Sequence, residues 1–348
     1  MYLQHFQLKE HPFQVTPDIH YLFLSKVHSR AMAYMEYSLR GNDGIVVITG
    51  EIGSGKTTLI KKLLSGLDDS LILAKIFHTK INEVELLQSI LEELGIECKS
   101  ENKIELLSAL RNYLVTQFSR NKKVVLIVDE AQNLSQEVLE ELRLLSGLEG
   151  AKEKLFHIIL VGQPELRTIL DSPQMAQFLQ RVKLSFHIRA LNEEESRDYI
   201  HHRVSVAGGA ATLFQEDVFP MIYEYTGGTP RLINILCDLA LICAFADEEP
   251  VITKLELREA LEELQWKTFA HRQAMMLATP DQTGSHPGAY TQSSESFMNN
   301  QASIAQINHK IDGLTVLLSK LVTSLDTLSR SFAARLETLH QYDDDGSE

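Results

Sequence analysis

Cysteine is scarce in this chain: 348 residues hold three, Cys98, Cys237 and Cys243, with neither metal-ligand spacing nor a pairing pattern. A disulfide framework and a cysteine metal site are excluded, and a reducing compartment is expected. No run approaches the roughly 18 consecutive apolar residues of a membrane helix, and Met1-Tyr2-Leu3-Gln4-His5 lacks the charged-then-apolar pattern of an export signal. A cytoplasmic location is the expectation, compatible with recruitment to the inner membrane by a partner. Basic charge is short as well, since 33 Lys and Arg stand against 47 Asp and Glu for a net of −14. That balance argues against broad affinity for nucleic acid and leaves only a local basic strip on an assembled ring as a route to it.

What is there begins with one octet. Gly50-Glu51-Ile52-Gly53-Ser54-Gly55-Lys56-Thr57 is a complete G-x-x-x-x-G-K-[ST] phosphate loop. Ile45 to Ile48 form a short apolar run before it and Thr58 to Leu64 has helical character after it, which is the strand, loop, helix context the motif needs. Gly50, Gly53 and Gly55 let successive N–H groups turn inward on phosphate oxygens, and the following helix adds its positive end. Gly50 to Thr58 is therefore the expected cradle for ATP, with Lys56 on the β- and γ-phosphates and Thr57 on Mg²⁺. The competing reading, a glycine-rich turn with a chance lysine, leaves the flanks unexplained.

Seventy-three residues past Lys56, the run Val124 to Val128 ends in Asp129-Glu130. Five consecutive apolar β-formers suit a strand buried on both faces of a parallel sheet. Its carboxylates then emerge at the C-terminal strand edge, where ligands of open α/β sheets bind. Asp129 is expected to hold Mg²⁺, directly or through water, and Glu130 to polarise the attacking water. A second acid here favours hydrolysis over phosphate transfer to a metabolite. The alternative, that Glu130 only opens the helix Gln136 to Ser146, stays open.

Five strands are expected, at Ile45 to Thr49, Leu71 to Phe77, Val124 to Val128, Phe156 to Val161 and Leu184 to Ile188. Helical patterns lie between them, at Glu83 to Leu94, Ile104 to Phe118, Gln136 to Leu145 and Pro164 to Phe178, and this alternation implies an α/β fold with a parallel sheet covered on both faces. From Asn192 the pattern is helical throughout: Glu193 to Val206, Gln215 to Tyr225, Pro230 to Ala246 and Thr253 to Leu264. The chain thus divides into an N-terminal segment packing near the adenine (1–40), an αβα core (41–190), a helical lid (191–266) and a flexible linker (267–300) of about 30 to 35 Å as a random coil. Ile304, Ile311, Leu318, Leu325, Phe332 and Leu339 then recur every seven residues, with Ile307, Leu314, Leu321 and Leu328 on the second seam and Arg335 breaking it. That is the pattern of a coiled coil over 301–342, about 60 Å long, through which a protein partner is expected; a helix docked on its own ATPase domain is the alternative. An acidic tail (343–348) ends the sequence.

An extra strand between loop and acid pair, followed by an all-helical lid, narrows the class to AAA+ ATPases, and here resemblance takes over. Gly227-Gly228-Thr229-Pro230-Arg231 looks like the AAA+ sensor 2 motif, which implies that Arg231 leans over the β- and γ-phosphates. Its plain reading is a helix-start arginine paired with a surface acid. Arg181, before the fifth strand, stands where similar proteins place an arginine finger that completes a neighbouring subunit's site, with Arg189 as a competing candidate and a plain surface arginine as the alternative for both. Gln163, after the fourth strand, occupies the sensor 1 position, where Asn, Thr or Ser is usual. The resemblance implies a three-layer αβα core, sheet order 5-1-4-3-2, and a homo-oligomer, with a ring as the form.

Leu8 to Phe13 with Thr16-Pro17-Asp18, Val128-Asp129-Glu130-Ala131-Gln132-Asn133-Leu134, and Leu160 to Leu166 together resemble the general secretion pathway protein A family. That family includes ATPases of type II secretion, of MSHA-type pilus biogenesis and of exosortase-linked exopolysaccharide loci. His28 to Tyr34 and Gly41 to Thr49 look most like the last. Gly147 stands where the family usually has Asn. The secretion member carries a membrane span and a periplasmic peptidoglycan-binding region, and neither is expected here. The resemblance implies an ATP-driven motor or switch serving a membrane-embedded envelope complex. It also implies that the N-terminal Pro12-Phe13 and Pro17-Asp18 region packs around the adenine, with Tyr21 and Phe23 as apolar contacts or ordinary core. A DNA-associated regulator and a scaffold with structural nucleotide are the competing functions; the first is weakened by the lack of a helix-turn-helix after Trp266.

Overall fold

Strands that must be covered on both faces sort their residues by parity. Ile45, Val47, Val124, Leu126, Val128, Ile158 and Leu160 enter one hydrophobic core, while Val46, Ile48, Val125, Ile127, Ile159 and Val161 enter another on the opposite face. The computed structural model describes residues 2–40, 44–66, 70–149 and 154–278. The expected coiled coil over 301–342, the acidic tail and the linker from 279 onward lie outside the described residues.

Five parallel strands, β1 (Ile45–Gly50), β2 (Leu71–Ile76), β3 (Lys123–Val128), β4 (Phe156–Gly162) and β5 (Val182–Ile188), run in the order β2-β3-β4-β1-β5. This is the expected 5-1-4-3-2 order read from its other edge. Register aligns Val47 with Leu160 and Leu126 with Ile158. Helices α4 (Glu83–Glu93), α5 (Lys103–Ser119), α6 (Gln136–Leu145) and α7 (Pro164–Leu170) supply Leu86, Leu106, Leu139 and Leu166 to the larger core. On the other face lie α2 (Lys26–Arg40), with Ala31, Met35 and Leu39, and α3 (Lys56–Ser65), with Leu59 and Leu63. Caps fix where several helices begin: Asn82 with Glu85 closes a capping box on α4, and Ser135 Oγ accepts from Val138 N–H on α6.

The structure differs from expectation at several places. The single helix expected over Pro164 to Phe178 is interrupted: α7 stops at Leu170, Pro173–Met175 is a 3-10 turn, and α8 (Ala176–Leu179) follows. Pro173 is the reason, because its ring pushes Ser172 into extended backbone at φ −67 and ψ 148. Residue 215 is likewise extended, 216–218 form a 3-10 turn, and α10 (Phe219–Thr226) begins with Pro220 in its first turn. Residues 269–278, expected as linker, form a helix of their own.

A third core belongs to α9 (Glu193–Val206), α10, α11 (Pro230–Ala246) and α12 (Lys254–Leu264). It also takes in Tyr2, from the single-turn α1 (Tyr2–His5), with Phe6, Leu8, Phe13 and Tyr21. Arg203, buried on α9, fastens this N-terminal strap to the lid. Its guanidinium donates to the Pro12 carbonyl, to Tyr199 Oη at 2.8 Å and to the Gln14 carbonyl at 3.2 Å, and lies 4.7 Å from the Tyr21 ring centre. The extra helix α13 (Phe269–Ala278) packs on α10, with the Arg272 guanidinium donating to the Tyr225 carbonyl and lying 4.9 Å from the Trp266 ring. Phe269 fills the space over Gly227, where an added Cβ would come within 2.4 Å of its ring.

Lid and sheet meet at residues 189–192. Leu191 N–H donates to the Gly228 carbonyl at 3.0 Å, and Gly228 sits at φ +72. A Cβ at 228 would lie 1.8 Å from the Leu191 oxygen. Left-handed strain and backbone overlap together predict that Gly228→Ala destabilises the protein by about 3 kcal/mol or more. Denaturant unfolding checks this, and a variant within ~0.5 kcal/mol of the parent would contradict the packing described.

Candidate functional site

The loop after β1 winds because Gly53 (φ +78) and Gly55 (φ +91) take left-handed backbone. Gly55 precedes α3 and offers no side-chain cap, so the first N–H groups of that helix are left for an anion. Lys56 is 7% exposed, and its Nζ donates to the Gly50 carbonyl at 2.7 Å and the Glu51 carbonyl at 3.0 Å. Burial lowers its pKa, opposed by the carboxylates of Glu130, Asp129, Glu51 and Glu165. Ser54 Oγ is buried, and among the described residues it has no hydrogen-bond partner.

Because β3 lies one strand from β1, with β4 between, its carboxylates reach the same edge. Thr57 Oγ1 donates to Asp129 Oδ2 at 3.4 Å, and Asp129 Oδ1 accepts the Glu130 N–H at 2.9 Å. Burial raises the Asp129 pKa, against the lowering pull of the Glu130 amide, the Thr57 hydroxyl and Lys56. A hydroxyl beside one carboxylate is a hard-oxygen donor pair that fits Mg²⁺, which takes one or two protein oxygens and completes its shell with phosphate and water. Among the described residues no cluster of three or more His, Cys, Asp or Glu could hold a metal by itself. Glu130 has left-handed backbone, φ 52 and ψ 38. Its Oε2 accepts from Gln132 Nε2 at 2.6 Å and from Gln163 Nε2 at 3.0 Å. Burial pushes its pKa up, but these two amides and Lys56 outweigh it and hold the carboxyl below the ordinary range.

Above the loop is a cavity of about 380 Å³, within the range of small-ligand sites. Ile52 to Thr58, Glu130 and Gln163 form one end, and Gln14 to Asp18, Tyr21 and Phe23 the other. The lid closes on it through Arg231, in the first turn of α11, whose N–H donates to the Gly53 carbonyl at 3.3 Å. An added Cβ on Gly53 would be 2.4 Å from the Arg231 Cβ, so the lid helix comes this near only because residue 53 has no side chain.

Lys56, Thr57, Glu130, Gln163 and Arg231 therefore meet around one cavity, with Asp129 behind them on the Thr57 hydroxyl. Tyr21 and Phe23 both line it, and Tyr21 is at the same time buried in the lid core. Arg181 stands apart, at the start of β5, with a guanidinium nitrogen 3.9 Å from where a Gly147 Cβ would be. As β5 is parallel to β1, about 20 Å of strand separates Arg181 from the loop's edge. Arg189 is at that edge, beside a second cavity of about 340 Å³ shared with Lys26, Asn192 and Glu195.

Sequence reasoning missed two side chains. His28, buried on α2, donates from Nε2 to the Ser54 carbonyl at 3.0 Å, and its Nδ1 lies 2.7 Å from Ser25 Oγ, which then donates to it. Nothing local in the sequence signals this contact, since it spans 26 residues. Gln132, two residues beyond Glu130, was quoted above only for its place in a family segment. Its Oε1 accepts the Gln163 N–H at 3.0 Å.

Residues 39–170 match the family described as AAA domain. Over 247 residues the chain is 38% identical to General secretion pathway protein A of Aeromonas hydrophila, covering 71% of this chain and 45% of that protein. The chain thus spans less than half the length of that relative. Cdc6p from Pyrobaculum aerophilum is similar at TM-score 0.57 and 19% identity, over 80% of this chain and 74% of that one. ORC2 of Aeropyrum pernix, in its ADPNP-ADP complexes, is similar at 0.53 and 17%, over 71% and 72%. At these identities the structural likeness is one of fold.

Burial holds the His28 pKa below its ordinary 6.5, partly opposed by the Ser54 carbonyl and Glu195. The folded ring is neutral and refuses a proton that the unfolded chain accepts as pH falls through 6.5. Stability is therefore predicted to be unaffected by this group above that pH and to decline below it. His202, also lowered by burial, adds in the same direction. Denaturation at about pH 7.5 and about pH 5.5 checks this, with His28→Gln showing the smaller loss between them. An identical loss in parent and variant would contradict it.

Proposed function

From the AAA+ ATPase module of the general secretion pathway protein A family that this chain carries, we propose a Mg²⁺-dependent hydrolysis of ATP to ADP and phosphate in a site shared between copies of the chain. The observation that carries this is the convergence of Lys56, Thr57, Asp129, Glu130, Gln163 and Arg231 on one sheet edge. Triphosphate oxygens take the free N–H groups at the start of α3, and Lys56 exchanges the Gly50 and Glu51 carbonyls for the β- and γ-phosphates. Thr57 and Asp129 would hold Mg²⁺, which neutralises charge on the β- and γ-oxygens. Glu130 accepts a proton from the attacking water as its oxygen bonds to the γ-phosphorus and the bond to the β-bridging oxygen breaks. Gln163 orients that water by donating and accepting hydrogen bonds. Arg231 brings positive charge from the lid and couples lid angle to nucleotide state. Tyr21 and Phe23 give apolar contact to the base.

Arg181, remote from its own loop, suits a finger offered to the next subunit, so turnover requires an oligomer, with a ring as the form. Arg189, on the loop's own edge, suits that role less. The work done is assembly of a bacterial envelope system, through secretion, a pilus or exopolysaccharide export. The segment 301–342 engages the protein partner, and a cytoplasmic chain is recruited by it to the inner membrane. Likeness of fold to origin-recognition proteins does not carry DNA binding here, because the net charge of −14 opposes it.

Glu130→Gln is predicted to bind ATP and lose turnover by about 10²- to 10⁴-fold, measured as phosphate release; undiminished release removes Glu130 as the base. Arg181→Ala and Lys56→Ala, each inactive alone, should regain turnover when mixed, since each supplies what the other's site lacks. A mixture that stays inactive contradicts the shared site.

A further inference from the structure

Both donors to Glu130 reach a single oxygen. Gln132 Nε2 at 2.6 Å and Gln163 Nε2 at 3.0 Å converge on Oε2. The Gln132 amide is itself held, because its Oε1 accepts the Gln163 backbone N–H at 3.0 Å. Gly162 leaves room for that amide: a Cβ there would be 2.9 Å from Gln132 Oε1. Gln132 also stands at the centre of the 3-10 turn Ala131–Asn133, where the Asn133 N–H donates to the Glu130 carbonyl at 3.1 Å. One side chain thus bridges the loop after β3, which carries the base, and the loop after β4, which carries Gln163. Glu130 has left-handed backbone, and these two bonds hold its carboxylate.

We propose that Gln132 is a positioning residue for hydrolysis, which aims the Glu130 carboxylate by tying it to the Gln163 backbone. When the Gln163 side chain turns to the attacking water, Glu130 loses one of its two donors, and Gln132 alone keeps the carboxylate on line. The charged groups facing Glu130 are Lys56 on α3 and Asp129 at the end of β3. Neither contacts Gln132 in the bonds described, so a change at 132 leaves them in place.

This role rests on hydrolysis through Glu130. Steady-state turnover of the full chain with Mg-ATP tests it with Gln132→Leu and Gln132→Glu. Both variants should lower kcat by about tenfold with KM for ATP within about twofold, because the lost interaction serves the reacting water and not ground-state binding. The denaturant midpoint of both variants should stay near the parent's, so that the loss falls on kcat and not on folding or ATP binding. If Gln132→Leu does not fold, Gln132→Glu alone carries the measurement. An unchanged kcat, or a loss carried by KM with kcat intact, overturns the role of Gln132. A parent chain without turnover overturns the hydrolysis reading instead, so the two failures are distinct.

Discussion

Parallel pairing imposes one condition from which the site follows: all five strands end at the same edge of the sheet. Residues that leave β1, β3 and β4 there, the phosphate loop, Asp129-Glu130 and Gln163, must become neighbours although 113 positions separate the first from the last. The order β2-β3-β4-β1-β5 sharpens this, because placing β4 between β1 and β3 brings Gln163 against the Glu130 carboxylate. The apolar parity of the strands maintains the arrangement, since slipping a strand by one residue exchanges the contents of two closed cores. Chemistry at the edge is thereby supported by packing that the reacting groups do not share.

A second level of organisation joins the lid to that edge. At Gly53 and Gly228 a missing side chain lets the helical region approach closely, since a Cβ there would overlap the Arg231 Cβ and the Leu191 carbonyl. The lid is also not built from its own segment alone: the N-terminal strap contributes Phe6, Leu8 and Phe13 to its core and is fixed by Arg203. Residues 14–18, which border the cavity, are therefore tied to the helical core through Arg203, while His28 on α2 is bonded to the loop. Between them, the connection at 189–192 is held by the bond from Leu191 to Gly228. Phe269, at the start of α13, lies over the neighbouring Gly227.

Local signals in the sequence were sufficient where function demanded a local pattern. Gly53 and Gly55 are needed for left-handed turns, and the run Val124 to Val128 needs two-sided burial, so both were legible without a structure. Sheet order came from resemblance, not from periodicity. What stayed hidden depends on tertiary meeting: His28 supports Ser54 from another helix, Gln132 acts through a loop 31 positions away, and α13 exists because Phe269 and Arg272 find partners on the lid. The break at Pro173 was readable and was smoothed over by the helical pattern on either side of it.

The central claim is that core and lid form one phosphate site. Hydrogen exchange of the full chain, with and without saturating Mg-ATP, tests it most directly, followed at the start of α3 and at residues 227–236 of the lid. Slowed exchange at both places together, absent in Lys56→Ala, is the predicted result. Protection confined to the start of α3, with the lid unchanged, would contradict it.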